Sequence, residues 1–172
     1  TIYLETKGGF DFVDKSIYTP AQIVITDGDS IGIFKAEVRG RGNSTWEFME
    51  KKPFRIKFDK KQHFLGFPAN AKSWTLIACA VDKTLLRNSL AFEMSRKLGF
   101  EFSPSNKIVD VVLDGFYYGS FMASDHLQID TMRINVTEMK STDIGDPEIT
   151  GGYHLEIDAY ANEEPVNFRT NA

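Results

Sequence analysis

The sequence predicts an α+β domain, a mostly antiparallel sheet carrying one main helix, on three observations. Short runs of alternating apolar and polar residues recur along most of the chain. A single segment repeats leucine and methionine at helical spacing, and two apolar runs flank the dipeptide Asp114-Gly115.

Taken in order, Ile2, Leu4 and Thr6 alternate and Gly8-Gly9 punctuates, which predicts a first strand. The β-rich run from Ala21 to Thr26 stops at Asp27-Gly28, and Ile31–Arg39 forms the next strand. A glycine-containing stretch, Gly40 to Trp46, precedes a return strand over Pro53–Phe58, and a turn-rich span leads to the apolar run Trp74–Ala80. The helix follows. Asp82 is its N-cap, Leu86, Leu90, Met94 and Leu98 recur every fourth residue, and Leu85 and Phe92 widen that stripe. Arg96 and Lys97 sit in the last turn and Gly99 stops it, so the stripe is expected to pack on the sheet. Ile108–Leu113 and Phe116–Ala123 around Asp114-Gly115 read as a hairpin with a two-residue turn. Arg133–Thr137 and Tyr153–Asp158 complete the strands.

A length of 172 residues suits one domain, and no apolar run reaches the ~20 residues of a membrane helix. Cys79, the single cysteine, excludes an intrachain disulfide and reads as a buried small hydrophobe. The chain begins at Thr1 rather than Met, as an excerpt or processed product would. Its net charge of −4 conceals an asymmetry: nine basic and four acidic residues between Lys35 and Lys61 make that segment +5. Glu138 to Ala172 carries −6. A basic front and an acidic back fit an anionic ligand at one end, although charges that merely cover a surface give the same counts.

The strongest constellation is the β-loop-β unit from Lys35 to Phe58. Alternation puts Phe54, Ile56 and Phe58 on one face and Arg55 and Lys57 on the other, with Arg39 joining them from the preceding strand. The intervening loop brings Arg41, small residues that let backbone N–H groups approach a ligand, and short polar donors at Asn43, Ser44 and Thr45. Guanidinium forks, an ammonium and backbone donors together suit a phosphate. The plainer alternative is a solvated hairpin face with a flexible glycine turn. The loop is neither a P-loop nor a full G-x-G-x-x-G.

A second constellation, Gly151 to Asp158, places His154, Glu156 and Asp158 on one face of a strand, where they would suit a divalent cation or form an ordinary polar face. His63 and His126 show no metal-ligand spacing with His154. Asp125-His126 has the composition of a catalytic dyad, but no nucleophile elbow accompanies it. Trp46, Trp74 and Tyr117-Tyr118 suit either base stacking or core packing.

Four segments carry a resemblance. Arg39-Gly40-Arg41-Gly42-Asn43-Ser44-Thr45-Trp46 with Lys51 to Phe58, and Trp74-Thr75-Leu76 with Asp82 to Asn88, resemble the front motifs of the spore-coat protein H (CotH) kinase family. Asp114 to Gly119 and Gly151 to Asp158 match it in order and approximate spacing. The resemblance implies an atypical protein kinase with a degenerate kinase-like N-terminal lobe, and residues 1–172 would be a partial domain, its front lobe, ending before the catalytic aspartate and metal-binding segment. By kinase analogy Lys57 is the strand lysine, Arg39 and Arg41 touch phosphates, and Glu93 or Glu156 partners the lysine. One departure falls at Ser124-Asp125-His126, where the family commonly reads Thr-Glu-Gln.

The expected function is therefore the nucleotide-binding portion of a CotH-like kinase, using ATP with a divalent metal once the domain is complete and phosphorylating Ser or Thr of secreted or surface proteins. The resemblance also implies an extracellular or cell-surface location and further domains in the full-length protein. The alternative is a non-catalytic adhesion or protein-interaction module. Nucleic acid is not an expected partner, because the net charge of −4 opposes steering to a polyanion.

Overall fold

The computed structural model describes residues 1–10, 13–150, 153 and 163. Its framework is seven strands: β1 (Ile2–Thr6), β2 (Thr19–Asp27), β3 (Ser30–Gly40), β4 (Phe54–Gln62), β5 (Ala71–Ile77), β6 (Asn106–Leu113) and β7 (Phe116–Asp125). Two helices accompany them, the short α1 (Ser44–Phe48) and α2 (Arg87–Lys97). The strands run β1-β2-β3-β4-β5-β7-β6 around a closed barrel.

This corrects the expected fold class. The predicted α+β arrangement, a sheet with a helix packed on it in the manner of a kinase N-terminal lobe, is instead a closed seven-stranded mixed β-barrel. Closure comes from β1 and β6, which pair in parallel through Ile2↔Val111, Tyr3↔Val112 and Leu4↔Leu113, while every other pairing is antiparallel. Asp114 fixes this seam a second time. Its backbone N–H bonds the Leu4 carbonyl, and its carboxylate accepts from the Thr6 N–H and hydroxyl.

Alternation fills the barrel. Ile2, Leu4, Ile23, Val38, Phe54, Ile56, Phe58, Trp74, Leu76, Val111 and Phe121 are all buried to 1% exposure or less. Aromatic rings stack through the interior, Phe54 on Phe121 at 6.0 Å and Phe64 against Trp74 at 5.4 Å between centroids. The hairpin at Asp114-Gly115 forms as expected, with positive φ at both turn residues (47° and 85°) joining Leu113 to its partner Phe116.

Four local expectations change. The helix starts at Arg87, not beside Asp82, yet Asp82 still serves it: its carboxylate accepts from the Arg87 N–H, the Thr84 N–H and the Thr84 hydroxyl. The apolar stripe faces away from the barrel, with Leu86, Leu90, Met94 and Leu98 all more than half exposed. Polar side chains tether α2 instead, Ser89 to Asn106 and Ser95 to Ser103. Arg133–Thr137 forms no strand beyond an isolated bridge between Ile129 and Ile134. Cys79 is half-buried rather than buried, at a φ of 49°, and the predicted strand Tyr153–Asp158 lies outside the described residues apart from Tyr153.

Candidate functional site

The basic face forms where β3 and β4 pair. Register sets Arg39 directly opposite Arg55 and Glu37 opposite Lys57, all pointing out of the barrel because Val38, Ile56 and Phe58 point in. The same row continues through Thr75 on β5 and Ser124 on β7 to Asn106 on β6.

Two cationic groups share one aromatic neighbour. The Arg39 guanidinium lies 5.0 Å from the centre of the Tyr18 ring and the Lys57 ammonium 5.3 Å from it. Arg39 also donates to the Lys15 carbonyl at 3.2 Å. Lys57 is paired with Glu37 at 3.6 Å. Neither Arg39, Arg41 nor Arg55 has a carboxylate within ion-pair distance among the described residues, and the Nε atoms of Arg39 and Arg55 are buried without a hydrogen-bond partner. Burial, and then the neighbouring charges, hold the guanidiniums of Arg41 and Arg55 below their ordinary pKa: Arg55 acts on Arg41, and Arg39 acts on Arg55. Guanidiniums crowded together with no carboxylate among the described residues carry a positive charge that an anion would neutralise.

The loop between the strands is more built than a flexible glycine turn. Asn43 and Ser44 are exposed at the start of α1, and the Asn43 carbonyl accepts from the Trp46 and Glu47 N–H groups. Trp46 then folds back over Gly40, where a Cβ would meet the indole at 2.4 Å, so that glycine admits a ring rather than a ligand. Gly42 has a φ of 88°, which favours glycine. Behind the loop, the Tyr118 hydroxyl accepts from the Lys52 N–H and donates to the Glu50 carbonyl.

Of the remaining expected site residues, Glu93 is on the exposed surface of α2 and pairs with Arg96 at 3.1 Å, while Lys57 keeps Glu37. Glu156 lies outside the described residues. Trp74 is a core residue, its indole N–H donating to the Ala71 carbonyl at 2.9 Å.

Sequence reasoning missed two residues. Arg133 is buried in an ion pair with Asp125 (2.8 Å) and lies over the Trp74 ring at 4.3 Å. Asp125 also accepts from the Ser105 N–H, so its carboxylate serves the barrel and forms no dyad with His126. His126 directly follows β7, and burial, then the charges of Arg55, Arg133, Arg41 and Arg39, lower its pKa to about 4.

A cavity of about 640 Å³, lined by Arg96, Phe100, Phe102, Met132 and Arg133 among others, takes none of the expected site residues. Among the described residues no three His, Cys, Asp or Glu side chains group as metal ligands, and no helix is long and apolar enough to cross a membrane.

Residues 38–167 match the family model described as CotH kinase protein. The chain belongs to the CotH kinase family. The matched region contains the whole basic unit, Arg39, Arg41, Arg55 and Lys57, together with β4 to β7. No curated protein matches the chain.

Proposed function

We propose that this CotH-family chain holds the phosphates of a nucleotide on the outer face of β3 and β4, as one part of a kinase-related domain. The observation that carries the reading is the convergence of Arg39, Arg41 and Arg55 with no carboxylate among the described residues to neutralise them. Arg39 and Arg55 supply guanidinium donors across one strand pair, Arg41 supplies a third from the loop, and Lys57 adds an ammonium held near by Glu37 and Tyr18. Bound phosphate would satisfy the buried Nε groups and relieve the repulsion among the three arginines.

ATP and a divalent metal are the family's expected cofactors, and the metal would bring charge neutralisation to the phosphates when bound. This chain's own residues would bind and orient the phosphates, with Arg39 and Arg55 fixing their direction and Arg41 closing the loop side.

Calorimetric titration with ATP, with and without magnesium, tests the reading on the parent chain and on Arg39→Ala and Arg55→Ala. Binding by the parent and at least a tenfold loss in either variant is expected, on the ~1.5–3 kcal/mol of a hydrogen bond to a charged group. Equal heats for all three proteins would remove the site. Binding without phosphoryl transfer to any protein would favour the non-catalytic alternative.

A further inference from the structure

We propose that Tyr18 is a positioning residue of the phosphate site: the face of its ring holds Arg39 and Lys57 where an anion meets them, without cancelling their charge. The proposal rests on the phosphate reading above and adds to it a residue that lies before the family-matched region.

Register puts the ring there. Thr19, the first residue of β2, is opposite Val38 and buried with it, so Tyr18 falls beside Arg39 on the outer side, and Arg39 in turn faces Arg55. The Arg39 guanidinium stands over the Tyr18 ring at 5.0 Å and the Lys57 ammonium at 5.3 Å. The segment leading to Tyr18 is fastened in place. Val13 is buried in the core, the Asp14 carboxylate accepts from the Ser16 and Ile17 N–H groups, and the Asp14 carbonyl accepts from the Gly40 N–H. The Lys15 carbonyl takes one donor of Arg39, and the Lys15 ammonium lies 4.0 Å from Glu47 of α1.

A ring face and a carboxylate hold cations in different ways. A carboxylate would cancel their charge and occupy their N–H groups, competing with the ligand for both. A ring attracts through its quadrupole, carries no net charge and leaves the N–H groups at the cation's edge available. Arg39 gives up one donor, to Lys15, and Lys57 has Glu37 at 3.6 Å, a pair that is about half exposed and weakened by solvent. Without the ring, both long side chains regain rotamers that must be frozen again when the anion binds.

Inorganic triphosphate is the probe, titrated calorimetrically into the parent chain, Tyr18→Phe and Tyr18→Leu. Phe keeps the ring face and should bind within about twofold of the parent. Leu keeps an apolar side chain without the quadrupole and should bind about tenfold more weakly. The same Leu substitution made in Arg39→Ala should cost less, because the ring then has one cation fewer to hold; a general loss of structure would not show that coupling. In the ligand-free parent, the Arg39 Nε–Hε proton should resonate upfield through the ring current, remain there in Tyr18→Phe and move downfield in Tyr18→Leu. The parent's own spectrum decides this point even if Tyr18→Leu does not fold. Parent-like affinity in Tyr18→Leu, an equal loss in Tyr18→Phe, or no upfield shift of the Arg39 signal in the parent overturns the role of Tyr18 and leaves the arginine site standing. Failure of triphosphate and of ATP to bind the parent overturns both readings together.

Discussion

Arg39 and Arg55 face each other across the β3–β4 ladder with no acid among the described residues to separate their charges. Like charges directly opposite on adjacent strands destabilise a sheet by roughly 0.2–1 kcal/mol. Function and stability therefore pull apart at this pair. Arg55→Gln should unfold at an unchanged or slightly higher urea midpoint while losing phosphate binding, the reverse of what a structural arginine would show.

Asp125 and Arg133 form an ion pair buried beside Trp74, with side-chain exposures of 1% and 0%. Only the Arg133 Nε is matched in it, and Nη1 and Nη2 have no hydrogen-bond partner among the described residues. Removing one member strands the other in low dielectric. Asp125→Asn should cost about 3–5 kcal/mol in urea unfolding, whereas replacing both residues with apolar side chains of similar volume should recover most of that loss.

Acid should weaken the fold in two steps. His126 takes up its proton near pH 4 when folded and near 6.5 when unfolded, so the unfolded chain binds more protons between those values and stability falls as pH drops from about 6.5 to about 4. Asp82 titrates below its ordinary 3.8, chiefly through the Thr84 hydroxyl and then the Arg87 N–H, so its contribution is present above about pH 4 and is lost as pH falls further. Melting temperatures against pH should show both slopes. His126→Gln should flatten the upper one alone, and Asp82→Asn the lower one.

At Gly40 the limit is steric. A methyl group would sit 2.4 Å from the Trp46 ring, inside any real carbon contact. Gly40→Ala should cost about 1–3 kcal/mol by overpacking, and the displaced indole should report it as a red-shifted tryptophan emission.

Much of the basic face was legible because alternation is local. Phe54, Ile56 and Phe58 against Arg55 and Lys57 can be written down from five consecutive residues, and the structure sorts them in that way. The hairpin at Asp114-Gly115 was legible for the same reason. Barrel closure was not, since nothing near Ile2 in the chain announces Val111 as its partner. Helical periodicity marked Leu86, Leu90, Met94 and Leu98 as one face without saying what that face meets, and Ser89 and Ser95 are the residues that hold α2 in place. His126 and Arg133 gained their chemistry only from distant strands and loops brought beside them.

The parallel seam between β1 and β6 has a practical meaning for anyone expressing part of this protein. The family match opens at residue 38, past β1 and β2 and near the end of β3. A chain trimmed to that boundary would lose β1, β2 and most of β3, and would bare the backbone of β4 and β6 at once. Such open edges recruit strands from neighbouring molecules. The residues outside the family boundary thus keep this chain from becoming a template for its own copies.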